Sequence, residues 1–266
     1  MNIGIDAGGT LIKIAYRKQD RIEFKSLPVS KLEEVTAWIN RLAEAKLCIT
    51  GGRTAQVKAA LHKEASEIVE FEGTVRGAKY LLQSEQIDPG SFILTNVGTG
   101  TSIHRVQEQG HARVGGTGVG GGTLMGLSQL LTGITDYEAI VSLAASGDRD
   151  RIDLKVRHIY EGTEPPIPGD LTASNFGRLT ANVHLLTKEE LLSSVVGLVG
   201  ETVATASVLA AGQCGSSSVV YIGSSFLNNE PLKEVVRYYT DLRGARPIFL
   251  DNGQYCGAIG SLLSIN

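Results

Sequence analysis

The sequence predicts an α/β protein made of two related lobes that face each other across a cleft. Three observations carry this expectation. Strand-like and helix-like patterns alternate along the chain, as in layered α/β architectures. Residues 3–15 and 93–103 echo each other, each reading as an apolar strand, a glycine-rich turn bearing a threonine, and a second apolar strand. A further buried strand at 219–222 delivers Gly223-Ser224-Ser225 to an edge.

The elements follow in order. Residues 2–6 and 11–16 read as strands joined by a Gly-Gly turn, and 21–27 as a third strand. Ser30-Lys-Leu-Glu33 has the pattern of a capping box opening a helix to about residue 43. A buried strand is expected at 46–50, a helix at 53–62, a short strand at 68–71, and a helix from Gly73 to about 86. Asp88-Pro89-Gly90 breaks the chain. Strands at 92–97, 101–106 and 111–114 repeat the opening arrangement, and the glycine loop GGTGVGGGTLMGL runs into a helix at 123–131. Residues 136–145 are expected to be helical, and EGTEPPIPGDLTASNFG to form an ordered loop over a site or interface. Helices at 188–211, 231–240 and 256–264 and a strand at 247–250 complete the pattern.

The bulk properties narrow the classes. A chain of 266 residues can bury a sizeable core as one large or two small domains. Net charge is −3 with no block of like charges, which argues against nucleic-acid or anionic-membrane partners. The glycines gather at 4–9, 98–100, 115–126 and 223, so they mark specific turns and not a flexible linker. Cys48, Cys214 and Cys256 form no CxxC pair, so reduced thiols and a cytoplasmic setting are expected. The chain opens on a strand-like run and no window reaches 18 apolar residues, so neither a signal peptide nor a membrane span is expected.

The stretch GIDAGGTLIKI at 4–14 suggests the chemistry. Backbone N–H groups in a tight glycine turn can converge on a phosphate. Glycine is expected there to allow positive φ and close approach. Thr10 and Thr99 would add hydroxyl donors, Lys13 would balance phosphate charge, and Asp6 would sit beside Mg²⁺, directly or through water. For one such hairpin alone an ordinary turn is the simpler reading; two hairpins and a third glycine-bearing strand end favour a phosphate site. Residues 116–121 formally fit GxGxxG, but they follow a meander strand and not the first strand of a βαβ unit, so a dinucleotide fold is rejected. The histidines at 62, 104, 111, 158 and 184 show no zinc spacing.

Together, DAGGT, NVGTGTS and VYIGSS resemble the three-part nucleotide site of the actin-like ATPase superfamily, a ribonuclease H-like fold with duplicated mixed-sheet lobes. The segments RVGGTGVGGGT, DLKVRHIY, EPPIPGDLTASNFG and YIGSSF sharpen the match. With these, the chain resembles bacterial type II pantothenate kinases from residue 4 to about 226. That resemblance implies transfer of the ATP γ-phosphate to the 4′-hydroxyl of pantothenate, the first step of coenzyme A synthesis. It implies that Asp6, Ala7, Gly8, Gly9, Thr10, Leu11, Ile12 and Lys13 line the ATP phosphates. Thr99, then Gly121, Gly122, Thr123, Leu124 and Met125, then Tyr137 and Ser225, would be further ATP contacts. Glu70 matches the family's catalytic base, although by pattern alone Glu67, Glu70 and Glu72 could all be a solvated face. Arg113 resembles the arginine that holds the pantothenate carboxylate, and Ser102 would be a further pantothenate contact; by pattern alone Arg113 could be a surface strand residue.

The expected lobes are 1–90, joined by a returning C-terminal segment at 253–266, and 91–252. The family also implies a homodimer, with the apolar helix at 195–211 as candidate interface or core. Two rivals remain: an actin-like kinase of another small hydroxyl substrate such as an amino sugar, and a non-enzymatic nucleotide switch or dehydratase activator. The first normally carries a Cys-rich zinc motif and the second a Cys-ligated cluster, and the three scattered cysteines suit neither.

Overall fold

A computed structural model describes residues 1–19, 21–179 and 185–265 of the chain; His184 and the last residue of the expected C-terminal segment lie outside these. The first sheet contains β1 (Asn2–Ala7), β2 (Leu11–Lys18) and β3 (Arg21–Pro28), then β4 (Lys46–Thr50) and β5 (Ala65–Glu67). Its spatial order is β3-β2-β1-β4-β5, with the first three strands antiparallel and β4 and β5 parallel to β1. Helix α1 (Leu32–Asn40) connects β3 to β4, α2 (Thr54–Ala60) connects β4 to β5, and α3 (Glu70–Ser84) leaves the sheet.

The second sheet repeats this plan. Strands β6 (Phe92–Val97), β7 (Thr101–Gln107) and β8 (Gly110–Thr117) form an antiparallel meander. Helices α4 (Gly121–Thr132), α5 (Tyr137–Ala144) and the short α6 (Val156–Ile159) follow. Beside α6, a two-stranded ribbon pairs β9 (Leu154–Lys155) with β10 (Thr172–Ser174). The long helix α7 (Lys188–Cys214) leads to β11 (Ser218–Ile222), α8 (Glu230–Leu242), β12 (Arg246–Phe249) and α9 (Cys256–Leu262). The order β12-β11-β6-β7-β8 is the first sheet's order rebuilt, with β11 and β12 parallel to β6.

The apolar pattern dictates the layers. Alternate residues of β6 and β11 face opposite sides, and both sides are buried. Ile93, Val219 and Tyr221 meet Val195, Val199 and Val203 of α7 and Leu232 and Val236 of α8. Phe92, Leu94, Val220 and Ile222 meet Val75, Ala78 and Leu82 of α3 and Ala258, Ile259 and Leu262 of α9. Helices α3 and α9 therefore lie between the two sheets. Small residues let them approach: a Cβ on Gly4 would overlap the Ala258 carbonyl oxygen, and one on Gly77 that of Cys256.

Several local expectations change. The strand expected at 68–71 ends as β5 at Glu67, and α3 begins at Glu70 and not after Gly73. Glycine is a poor helix former, yet Gly73 lies inside α3, packed under α9, where a Cβ on Gly260 would overlap the Gly73 carbonyl oxygen. Ser30 caps nothing: it lies within a 3-10 turn, Val29–Lys31, and a residue already in a turn cannot act as the extended cap of α1. A capping box instead opens α7, where the Glu190 N–H donates to Thr187 Oγ1 at 3.3 Å and the Thr187 N–H to Glu190 Oε2 at 2.8 Å. Helix α7 is long and apolar enough by composition to span a membrane, against the expectation of no such segment. It nevertheless runs through the second lobe's core, burying Val195, Val196, Val199, Val203, Ala204, Ala210 and Ala211. Most of the apolar surface at 195–211 is therefore core.

Candidate active site

The two hairpin tips meet. Thr10 follows the turn between β1 and β2, Thr99 lies in the turn between β6 and β7, and their Oγ1 atoms are 3.2 Å apart. Around them lies a cleft of about 360 Å³, lined by Asp6, Gly8, Gly9, Thr10, Leu11 and Lys13 from one lobe and by Thr99 and Ser102 from the other. Glu70 enters the same cleft from the first turn of α3. The β1–β2 register puts Asp6 opposite Lys13, with Lys13 Nζ 4.0 Å from Asp6 Oδ2. Ala7 and Ile12 alternate with these residues and are buried in the first lobe's core.

The electrostatics concern two carboxylates. Burial pushes the Asp6 carboxyl above its ordinary range, and the Lys13 ammonium opposes the rise. Glu70 is likewise raised, chiefly by burial and then by the Asp6 charge, with Lys13 again opposing. Two acids and two threonine hydroxyls in one cleft form the hard oxygen set that suits Mg²⁺ beside phosphates. No three His, Cys, Asp or Glu side chains gather as a metal cluster among the described residues, so phosphate oxygens and water would complete the shell. The residues present therefore fit a magnesium–nucleotide complex.

Close approach and not an unusual dihedral marks Gly8 and Gly100 of the tips, where a Cβ would lie 3.2 Å from the Leu11 carbonyl oxygen and 3.0 Å from that of Thr117. Positive φ is found at Gly223 and Gly51 but not at Gly8, Gly9, Gly98 or Gly100. A Cβ on Gly120 would lie 2.8 Å from Gly100 Cα, and one on Gly121 would lie 2.5 Å from Ser225 Oγ. The start of α4 is thus seated directly on the second tip. The Gly121 and Gly122 N–H groups donate to the Gly98 and Thr99 carbonyls, both at 2.8 Å. Those two amides support the loop and are not free to face a phosphate. Ser225 Oγ also donates to the Gly98 carbonyl at 3.2 Å, and Tyr137 Oη donates to the Ser225 carbonyl at 2.8 Å. Thr123, Leu124 and Met125 continue α4 behind this contact, with Leu124 fully buried. The residues expected on the nucleotide side, Gly121 to Met125, Tyr137 and Ser225, thus form a cluster next to the cleft and do not line it.

Arg113 reaches the site through a register slip. In β7–β8 pairing, Ser102 opposes Gly116 and Ile103 opposes Gly115, but His104 opposes Arg113, which leaves Val114 unpaired. Without this bulge Arg113 would oppose Arg105 and face the other side of the sheet. With it, Arg113 shares a face with Ser102, and its Nη2 would lie 2.7 Å from a Cβ on Gly116. Arg113 stands beside the cleft at the edge of the sheet and is exposed.

Sequence reasoning did not single out Phe71, Asn96 or Thr117, which also line the cleft, and named Ser224 only as part of the Gly223-Ser224-Ser225 edge. Asn96 had a signal, being a polar residue at the end of the apolar run FILTNV. Gly51 and Gly257 had none: a Cβ on either would press on the Asp6 carboxylate, at 2.9 and 2.7 Å.

The Fumble family model matches residues 83–264. The type II pantothenate kinases of Staphylococcus aureus strains USA300 and NCTC 8325 / PS 47 are each 45% identical over 263 residues, covering 98% of this chain and 98% of theirs. The chain belongs to the type II pantothenate kinase family. Among solved structures, an activator of 2-hydroxyisocaproyl-CoA dehydratase from Clostridium difficile with bound ADPNP superposes with a TM-score of 0.66 at 15% identity, covering 99% of this chain and 93% of that one. A ROK family glucokinase from Streptomyces griseus in complex with glucose and AMPPNP gives a TM-score of 0.58 at 12% identity, covering 99% and 98%. At such identities these two establish the fold alone, which is the two-lobed actin-like ATPase fold. In this pantothenate kinase family member Cys48 and Cys256 are buried in the interior and Cys214 is half-buried, all three unpaired.

Proposed function

We propose that this chain transfers the γ-phosphate of ATP to the 4′-hydroxyl of pantothenate, opening coenzyme A synthesis. One observation carries the reading: in a chain of this family, the Thr10 and Thr99 tips converge in the cleft that also receives Glu70 and Ser102.

Phosphoryl transfer needs positioning, charge neutralisation and an oriented nucleophile. The backbone of residues 8–10 and 98–100 cradles the phosphates, and Lys13 neutralises part of their charge. Asp6 would hold Mg²⁺, directly or through water, and the ion would supply further charge neutralisation. Tyr137, Ser225 and the start of α4 brace the second tip on the nucleoside side. Pantothenate carries its 4′-hydroxyl at one end, a carboxylate at the other, and a second hydroxyl and an amide between. Arg113 grips the carboxylate with its planar fork, and the Ser102 hydroxyl adds a hydrogen bond. Glu70 takes the proton of the 4′-hydroxyl as that oxygen bonds to the γ-phosphorus; the bond from phosphorus to the bridging oxygen breaks, and ADP leaves with the electron pair. Closure of the lobes excludes water, whose attack would waste ATP.

The same reading includes a homodimer in the cytoplasm, checked by light scattering of the purified protein and by cell fractionation. The reaction is tested by ADP release. Pantothenate-dependent turnover supports it; turnover with hexosamines and none with pantothenate overturns it.

A further inference from the structure

His104 lies between the proposed base and the proposed carboxylate clamp. It is 2% exposed, yet neither ring nitrogen has a hydrogen-bond partner among the described residues. A buried imidazole without partners gives up the hydrogen bonds it would make to water, so an orphan here calls for an explanation. On one side its ring packs against that of Phe71, the neighbour of Glu70, with centroids 4.5 Å apart and the planes tilted by 50°. On the other it is paired across the sheet with Arg113 by the Val114 bulge. Two residues back along β7, on the same face, is Ser102, which lines the cleft. Phe71 belongs to the first lobe and His104 to the second, so their contact spans the cleft.

We infer that His104 is a specificity-determining residue that hydrogen-bonds the uncharged polar middle of the acceptor, between its reacting hydroxyl and its carboxylate. This rests on the acceptor reading above. The Phe71 ring covers His104 and also lines the cleft, so rotation of one side chain opens the imidazole to the acceptor. The imidazole is neutral: burial first, and then the His111 and Arg113 charges, push its pKa down to about 4. A neutral imidazole offers one N–H donor and one acceptor nitrogen. That pair complements an amide or a hydroxyl, whereas the carboxylate is left to Arg113. An acceptor lacking the central polar group would leave the imidazole unpaired, which is how a polar site rejects an analogue.

The test compares wild type with H104F and H104N. Three acceptors are used: pantothenate, its N-methylated amide, and its analogue lacking the secondary hydroxyl. H104F is expected to raise KM for pantothenate about tenfold to hundredfold, the loss of one or two buried hydrogen bonds, and to leave KM for ATP within about twofold. H104N is expected to keep part of the affinity. The H104F penalty should vanish for one analogue, which identifies the amide or the hydroxyl as the partner. A penalty below twofold, or one equal for all three acceptors, overturns the inference and leaves pantothenate kinase activity standing. A wild-type enzyme inert toward pantothenate overturns the acceptor reading itself. If H104F does not fold, H104N is read by the same comparison.

Discussion

Thr10 and Thr99 are 89 positions apart in the chain, yet their hydroxyl oxygens are 3.2 Å apart across the cleft. Each stands at the tip of a hairpin in its own lobe, so the contact joins the two halves where a triphosphate would be gripped. Removing either hydroxyl should weaken ATP binding. Because they act on one ligand, T10A and T99A should be non-additive, with a coupling of about 0.5 kcal/mol or more. Calorimetric titration of ATP analogues into the two single variants and the double variant measures it; strict additivity would mean that the tips act separately.

Glu70 is the proton acceptor in the proposed reaction. E70Q should lower kcat by about 10²–10⁴ while ATP still binds. A variant with near-normal turnover and intact ATP affinity would move the role to another group.

Glu70 also sets a pH dependence. Its pKa is raised, mainly by burial and then by Asp6, and only the ionised form accepts a proton. The rate should therefore fall as pH drops through a value above the ordinary glutamate pKa of about 4.3. Asp6 is raised as well, so the residual activity of E70Q separates them: its profile should lose this limb if Glu70 causes it.

The bulge at Val114 governs where Arg113 points. Deleting Val114 should remove the bulge and keep Arg113 opposite His104, on the Ser102 face. In R113A the pantothenate KM should rise tenfold or more for a lost charge-assisted contact, while ATP KM holds. R113K should fall between, since lysine keeps the charge and loses the fork. An unchanged pantothenate KM in R113A removes the residue from the site.

Stability offers an independent check on the fold. The Thr187 hydroxyl caps α7, the central helix of the second lobe. T187A should cost about 1 kcal/mol, a fall in Tm of about 2–4 °C by calorimetry, with catalysis unaffected. By contrast G120A presses a methyl group onto the Gly100 backbone and should cost ATP affinity, read by the same calorimetric titration, even where the protein folds.

Much of this protein is legible in its amino-acid sequence. The two Gly-Thr hairpins, the Gly223-Ser224-Ser225 edge and the alternation of strands and helices are local patterns, and local backbone and burial preferences suffice to set them. Other features are not legible there, because contacts distant in sequence impose them. Gly73 sits inside α3 although glycine's own propensity argues for a break, and Gly260 of α9 must lack a Cβ because it packs on that turn of α3. Arg113 joins Ser102 through a one-residue slip between β7 and β8, which alternation along either strand does not reveal. His104 reads as an ordinary strand residue until Phe71 arrives from the other lobe and buries it without a partner. Chain-local energetics chose the elements, and the packing of α3 and α9 between the two sheets chose which side chains share the cleft.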